Sequence, residues 1–249
     1  MKNRADEKLQ VLASDWNLDL SLLSFGEWVN FFFQRPPIPE GKIFLDLISD
    51  DFISFEASKP GLIVDYLTRC CRNFDELTKR FSLAELNQGV WAMFGGGGVR
   101  IQDHLWDKSV PITHRIKCII SMRFPILAVA KSFPNQPIET GFYMWWDLIL
   151  HDFWAQYYHW DRKYRLLQKD KYDLLPDDHK MLLDAALVTL SKLLEENNEG
   201  IQACAQHGLG HLHHPAVPAI IDQFIKRRHR KLSNDELLWL KACATGSVL

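Results

Sequence analysis

Residues 204–215 read CAQHGLGHLHHP and bring four histidines and two glycines into one short stretch. Placed on a helix at about 100° per residue, the segment that begins at residue 200 shows one continuous apolar stripe. The stripe contains Ile201, Ala205, Gly208, Leu209 and Leu212. His207 and His211, one turn apart, lie together on its flank beside Cys204. His214 precedes a proline and is expected to lie outside the helix.

The two glycines of this segment, Gly208 and Gly210, are costly inside a helix. Together they lower helix stability by about 2 kcal/mol relative to alanine. We interpret them as positions of close approach, where the backbone of a neighbouring helix lies against residue 208 or 210. This interpretation predicts a tightly packed helix pair, with its histidines hydrogen-bonded or at the surface.

Helical periodicity continues outward from this segment over most of the chain. The predicted helices cover about 19–34, 60–81, 82–94, 111–133, 139–157, 177–198, 199–213, 216–229 and 234–245. Capping boxes at Ser82 and Ser233, each with a glutamate three residues later, mark two helix starts. Pro125 is expected to kink its helix. Residues 35–58 are predicted to be irregular, and strand patterns are poor throughout.

The predicted fold class is therefore all-α, as an irregular α-solenoid of HEAT type or as a helical bundle extended by one. The last three helices carry this prediction, because each is too short to bury its apolar face alone. We expect a single all-helical domain over residues 1–249, with a less regular N-terminal part at about 1–58. The C-terminal part, about 176–249, is expected to be HEAT-like, with degenerate repeats.

Composition argues against several classes of function. The chain has 249 residues, with 29 basic and 31 acidic side chains and a formal net charge of -2. This balance gives no global field that would attract nucleic acid or anionic lipid. The first ten residues lack the apolar core of a secretory signal, and no apolar run reaches the length of a membrane span. Five cysteines without C-x-x-C spacing indicate buried free thiols, so we expect a cytoplasmic protein.

His207 and His211 have the H-x-x-x-H spacing that lets two imidazoles bind one metal ion. The residues between them are Gly-Leu-Gly and omit the glutamate of the zinc-protease motif H-E-x-x-H. A metal site completed by another helix stays an alternative, whereas a closely packed helix is the interpretation we favour. The sequence therefore assigns no metal, no cofactor and no catalytic residue.

Other polar residues lie in apolar surroundings and are candidates for binding. Asp147 and His151, four residues apart in GFYMWWDLILHDFW, are expected to form a local ion pair or the start of an acid–base site. Asn87 lies inside an apolar stripe and is predicted to bridge to another helix, beside Trp91. The basic run KRRHRK at 226–231 is typical of a solvated helix C-terminus. The candidate binding residues are Asn87, Trp91, Asp147, His151, His207 and His211.

Three of these motifs together carry a resemblance to a known group of proteins. They are LNQGVW at 86–91, FYMWWDL at 142–148 and CAQHGLGHLHHP at 204–215. Over about residues 80–248 the chain resembles largely uncharacterised bacterial all-helical proteins whose C-terminal part looks like HEAT-type helical repeats. The resemblance implies an α-solenoid-like fold in a bacterial cytoplasm, and it implies no activity and no catalytic residues.

The function that the sequence favours is non-enzymatic binding of a protein partner by one face of the helical stack. By analogy with other bacterial helical proteins, the chain would act as an inhibitor or a toxin-neutralising partner. Trp91, Trp145 and Trp146 are the expected anchors, provided that they are exposed, because aromatic residues dominate binding hot spots.

Two other functions stay open at this point. The first is a metal-dependent or acid–base enzyme that uses the histidine pair with Asp147 or His151. The second is a helical-repeat nucleic-acid binder that uses Arg227 and Arg228. Neither nucleic acid nor a membrane is the expected partner, and the sequence does not fix the oligomeric state.

Overall fold

A computed structural model of the chain describes residues 13–14, 17–34, 54–95, 99–158, 172–228 and 232–248. Within these ranges the chain is almost entirely helical, which confirms the all-α fold class. The α-helices are α1 (Phe25–Phe33), α2 (Pro60–Arg72), α3 (Phe74–Thr78), α4 (Leu83–Phe94), α5 (Asp103–Trp106), α6 (Ile112–Ser121), α7 (Arg123–Ser132), α8 (Thr140–Tyr143), α9 (Trp145–Tyr158), α10 (Asp177–Leu194), α11 (Glu199–Leu212), α12 (Val217–Arg228) and α13 (Asn234–Thr245). A 3-10 turn, Leu20–Leu22, precedes α1.

The C-terminal helices lie where the sequence predicted them. The segment after Pro176 forms α10, and α11, α12 and α13 follow as three separate helices. Both predicted capping boxes are present: the Ser82 and Ser233 hydroxyls accept from the backbone three residues on, and the glutamates there bond back to the serine N–H groups. Local sequence signals therefore determine these helix starts.

Two predicted helices are divided at positions that the sequence did not reveal. The helix predicted over 60–81 stops before Asn73, whose side-chain amide donates to the Arg69 carbonyl (2.8 Å) and satisfies the end of α2. The helix predicted over 139–157 is interrupted at Met144, between α8 and α9. At each division a single residue separates two consecutive helices.

Pro125 breaks its helix rather than kinking it. The segment predicted as one helix over 111–133 consists of α6 and α7, which are separated at Met122. A proline ring clashes with the carbonyl of the residue four positions earlier, and that residue is Ser121, the last of α6. The break therefore lies where the proline excludes continued helix.

Three short strands are present although the sequence showed only poor strand patterns. β1 (Ala13–Ser14) pairs antiparallel with β2 (Asn17–Asp19), and β2 pairs in parallel with β3 (Ser54–Glu56). The register places Leu18 opposite Phe55. The strands have two or three residues each, too few for a period-two pattern to be visible in the sequence. Residues 35–53 lie outside the described residues.

One hydrophobic cluster runs through the helices from Leu20 to Cys243. At its C-terminal end, α11 packs against α9, α10 and α13. The five cysteines are free thiols and buried, as predicted. Burial raises the pKa of the Cys204 thiol to about 12, so this cysteine of α11 is an inert core residue.

The sequence predicts that no segment of the chain spans a membrane. None of the helices in the described ranges combines the length and the apolar character that a membrane span requires. The longest of them, α10, has 18 residues and carries several charged side chains.

Candidate metal centre

α11 holds the histidine pair between two well-defined helix ends. The Asn198 side chain accepts a hydrogen bond from the Ile201 N–H (3.0 Å) and caps the first turn. At the other end, His213 has a left-handed backbone with a φ of 49° and ends the helix after Leu212. His214 therefore lies outside the helix, as predicted.

Gly208 and Gly210 lie where no side chain would fit. A Cβ atom on Gly208 would lie 2.7 Å from Leu190 Cδ2 of α10 and 2.9 Å from Trp146 Cβ of α9. A Cβ atom on Gly210 would lie 2.6 Å from Val248 Cγ2. Neighbouring residues therefore approach both glycines closely, but the nearest atoms belong to side chains, so the predicted approach of a helix backbone is wrong. Gly208 lets α11 pack against α9 and α10 at the same time.

The contact between α9 and α11 brings Asp147 against the histidine pair. His211 Nδ1 lies 3.1 Å from Asp147 Oδ1, and His211 Nε2 lies 3.2 Å from His207 Nε2. His207 Nδ1 lies 3.2 Å from the backbone carbonyl oxygen of Tyr143. One ligand atom from each of Asp147, His207 and His211 lies within 4.8 Å of the other two. We call these three residues the imidazole cluster.

The oxygen partners of the imidazole cluster assign a proton to one nitrogen of each neutral ring. A carbonyl oxygen only accepts, so His207 Nδ1–H donates to Tyr143. A carboxylate also only accepts, so His211 Nδ1–H donates to Asp147. A neutral imidazole has one N–H, and both Nε2 atoms are therefore left with lone pairs. These lone pairs face each other across 3.2 Å.

Burial favours the neutral form of both imidazoles. It is the main cause that lowers the pKa of His207, and the neighbouring His211 lowers it further. Burial also lowers the pKa of His211, although Asp147 acts in the opposite direction. A proton shared between the two Nε2 atoms is therefore disfavoured near neutral pH.

Aromatic rings hold His207 on the buried side of the cluster. The Tyr143 ring stacks on it with 4.3 Å between centroids, and the Trp239 ring lies nearly parallel to it at 6.2 Å. His207 is 1% exposed, whereas the side chains of His211 and Asp147 are each 19% exposed. The cluster therefore has one closed side and one side that solvent reaches.

The two Nε2 atoms are spaced for a tetrahedral transition-metal ion. With metal–nitrogen distances of about 2.0–2.1 Å, their separation of 3.2 Å gives a nitrogen–metal–nitrogen angle of about 100°. Each ring already donates its Nδ1–H to an oxygen acceptor, and this arrangement is typical of metal-bound histidines. The sequence assigned no metal, and the structure makes His207 and His211 candidate ligands, with Asp147 as the residue that orients His211.

Asn87 and Trp91 act on the imidazole cluster indirectly, through their hydrogen bonds to α8. Asn87 Oδ1 accepts from the Gly141 N–H (2.7 Å), which links α4 to α8 and confirms the predicted bridge. Trp91 Nε1–H donates to Thr140 Oγ1 (3.4 Å) in the same helix pair. Both contacts fix α8, whose last residue, Tyr143, provides the carbonyl that orients His207.

His151 does not form the local pair with Asp147 that the sequence suggested. Asp147 contacts His211 of α11 instead, and in the part of the chain that the structure describes no ion pair joins it to His151. His151 is exposed one turn further along α9. The helix packing, which sequence spacing does not reveal, decides which imidazole the carboxylate contacts.

Trp145 and Trp146 cannot anchor a protein partner. Both are 0% exposed, so the condition on which they were expected to serve as anchors is not met. The Trp145 ring contacts Phe94 at 4.8 Å between centroids, and Trp146 packs against Gly208. α9 is hydrophobic almost all round, and this property places the tryptophans in the core.

The basic run forms the end of α12 as far as the structure describes it. Lys226 pairs with Asp222 across one helical turn (2.6 Å), and Arg227 and Arg228 complete the helix. The rest of the run, residues 229–231, lies outside the described residues. Favourable placement of cations at a helix C-terminus accounts for the described part.

A second contact between histidine and aspartate was missed in the sequence. His214 Nε2 lies 2.9 Å from Asp184 Oδ1 of α10, and the Tyr172 hydroxyl donates to the same oxygen (2.5 Å). We call Tyr172, Asp184 and His214 the proline corner, because Pro215 follows the histidine. The partners are 30 and 12 residues apart along the chain, so spacing gave no signal for them.

No protein-family model, curated protein or solved structure matches this chain.

Proposed function

We propose that this chain is an α-helical metal-binding protein whose imidazole cluster holds one divalent transition-metal ion. His207 Nε2 and His211 Nε2 are the protein ligands, and Asp147 orients His211. The observation that carries the proposal is the pair of Nε2 atoms that face each other at 3.2 Å while both Nδ1–H groups donate to oxygen. Imidazole nitrogen suits zinc, copper, iron and nickel, and zinc fits the tetrahedral angle.

A hydrogen-bonded histidine pair is the simplest competing explanation. It requires a proton on one Nε2 atom, and therefore an imidazolium ion in a cluster where burial favours the neutral ring. A divalent ion would satisfy both lone pairs, and the Asp147 carboxylate would offset part of its charge. The metal-bound arrangement therefore leaves fewer polar groups uncompensated.

In this proposal the helices form an irregular HEAT-like stack, in a single all-helical domain, that holds the cluster. α11 packs against α9, α10 and α13, and α12 packs against α13, as neighbouring helices in such a stack would. Because the ligands lie on α11 and the orienting carboxylate lies on α9, a bound ion would stabilise the contact between these helices. The bacterial cytoplasmic setting that the resemblance implies belongs to the same proposal.

Titration of the full chain with Zn²⁺ and Co²⁺ tests the proposal. We expect one ion per chain by calorimetry, and visible Co²⁺ absorption of the tetrahedral type. The His211→Gln variant is expected to lose more than about tenfold in affinity, because one of the two ligands is removed. His151→Gln removes an exposed imidazole outside the cluster and serves as the matched control, with unchanged affinity. Absence of stoichiometric binding, or equal affinity in His211→Gln and wild type, contradicts the proposal.

A second candidate function, binding of a protein partner, is favoured by an exposed apolar stripe. Leu174, Met181 and Val188 are 64%, 46% and 50% exposed. Met181 and Val188 lie two turns apart on α10, and Leu174 lies shortly before this helix. We propose that this stripe receives an apolar helix of a protein partner, as an inhibitor or neutralising partner would use it.

Photo-crosslinking in the native host tests this second function. A crosslinking residue at Val188 is expected to capture one defined protein, and the added Met181→Glu substitution is expected to abolish the crosslink. The same crosslinking residue at Lys192, an exposed polar position on α10, is the control. A crosslink that survives Met181→Glu, or no crosslink from Val188, contradicts the second function.

A further inference from the structure

The imidazole cluster provides fewer ligands than a structural metal site requires. Structural zinc sites are closed by four protein ligands, whereas sites that act on a ligand keep a position for water or substrate. The cluster offers two imidazole nitrogens as ligands, because Asp147 is engaged with Nδ1 of His211, and within the described ranges no further histidine, cysteine or acidic side chain joins the group. An ion held there keeps at least one coordination position without a protein ligand.

The exposure of its residues indicates on which side of the imidazole cluster the open coordination position lies. Tyr143 and Trp239 pack on His207, the buried member of the cluster. His211 and Asp147 are both partly exposed, so this is the side of the cluster that solvent reaches. A ligand that approaches from solvent therefore meets the metal beside these two residues.

Charge indicates what kind of ligand that position accepts. The two neutral imidazoles add no charge, and Asp147 offsets one of the two positive charges of a divalent ion. One positive charge remains in a partly buried site, where an uncompensated charge is costly. An anionic donor in the open position would complete the neutralisation, and an oxygen donor would take the place of bound water.

We infer that the metal ion of this centre accepts a small oxygen-donor anion, of the carboxylate or hydroxamate class, at its solvent-facing position. The inference rests on the proposed metal-binding function and adds a ligand to it. Binding exchanges a metal-bound water molecule for an anionic oxygen, and no covalent bond of the protein forms or breaks.

Acetohydroxamate is the probe that tests this inference, on the full chain loaded with one equivalent of Co²⁺. We expect a saturable change in the visible Co²⁺ absorption, with one acetohydroxamate bound per metal ion. Acetate is expected to produce the same kind of change at higher concentration, since a carboxylate binds the metal ion more weakly than a hydroxamate. Ultrafiltration after the titration is expected to leave the Co²⁺ with the protein. The His151→Gln variant is expected to give the same titration as wild type.

The possible results of this experiment distinguish a failure of the inference from a failure of the proposed metal-binding function. If Co²⁺ does not bind the protein, the proposed metal-binding function is wrong. If Co²⁺ binds and its absorption does not change with saturating acetohydroxamate, the function stands and the open position is disproved. If acetohydroxamate removes the Co²⁺ into the filtrate, the ternary complex does not exist and the inference is also disproved.

Discussion

His211 and His214 lie three residues apart, and each contacts an aspartate of a neighbouring helix, but the two contacts leave different atoms free. At the proline corner, His214 Nδ1 accepts from the Ala216 N–H (3.1 Å), so its Nε2–H donates to Asp184 (2.9 Å). Asp184 also accepts from the Tyr172 hydroxyl. Both ring nitrogens of His214 have partners, and the corner needs no ion.

In the imidazole cluster, the partners occupy only the Nδ1 side of each ring. His207 donates to a backbone carbonyl and His211 donates to Asp147, which leaves both Nε2 atoms facing each other. The comparison shows that the residue types alone do not distinguish a structural contact from a ligand site. The distinction lies in which ring nitrogen remains available after packing.

The largest expected difference between the two regions is in metal affinity. Replacing both His207 and His211 by Gln removes both ligands, and we expect zinc affinity to fall by more than about 100-fold. Replacing His214 by Gln removes an imidazole with no available nitrogen, and we expect no change in affinity. Competition with a chromophoric chelator measures both, and circular dichroism shows whether each variant is folded. Equal losses of zinc affinity in the double variant and in His214→Gln would contradict the distinction between the imidazole cluster and the proline corner.

Asp147 and Asp184 allow the imidazole cluster and the proline corner to be compared through the same substitution. Asp147→Asn replaces the carboxylate that orients His211, so we expect zinc affinity to fall by about 10- to 100-fold. Asp184→Asn is the matched change at the proline corner. It is expected to lower the free energy of unfolding by about 1 kcal/mol, because hydrogen bonds are weakened, and to leave zinc affinity unchanged. If Asp184→Asn lowered zinc affinity and Asp147→Asn did not, the metal site would lie at the proline corner and not at the imidazole cluster.

Packing at Gly208 should matter to the cluster because it sets the distance between α9 and α11. In the Gly208→Ala variant the added Cβ would meet Leu190 and Trp146 within 3 Å, and we expect a loss of about 1–3 kcal/mol in the free energy of unfolding. Gly61→Ala is the control in α2, where the added Cβ would meet no atom within 4 Å apart from its chain neighbours and its own helix backbone. Alanine there is expected to stabilise by up to about 1 kcal/mol. Urea denaturation measures both, and a stabilised Gly208→Ala variant contradicts the packing account.

The smallest expected effect concerns His179, a buried histidine outside both regions. Burial lowers its pKa, Asp178 acts in the opposite direction, and Lys108 and Arg115 lower it further. The unfolded chain therefore takes up this proton first as the pH falls, so the stability is complete above about pH 6.5 and is lost below it. His179→Gln is expected to make the decline between pH 7 and 5 shallower, by at most about 1.4 kcal/mol per pH unit. Urea denaturation at several pH values measures the slope, and an unchanged or steeper slope contradicts the prediction.

Much of the fold could be predicted from the sequence because its signals are local. Capping boxes and apolar stripes are formed by residues within one or two turns, and they located α4, α11 and α13 correctly. The breaks at Asn73 and Met144 were not predicted, because helical periodicity continues across both positions. The very short strands were missed because two or three residues carry no readable pattern.

The candidate site was predictable only in part, because it forms between helices. The spacing of His207 and His211 indicated that they act together, and Asp147 was recognised as an unusual residue. The sequence paired Asp147 with His151, its neighbour along α9, whereas packing places it against His211. A backbone carbonyl such as that of Tyr143 has no sequence signature, so the proton positions required the structure.

X-ray absorption spectroscopy of the full chain with one equivalent of Zn²⁺ tests the central claim most directly. We expect nitrogen neighbours at about 2.0–2.1 Å, with the outer-shell scattering of two imidazole rings and the remaining positions filled by oxygen. The same sample of the His207→Gln/His211→Gln variant is expected to show no imidazole scattering. A zinc spectrum without imidazole in the wild-type protein, or the same spectrum in both proteins, would contradict the account.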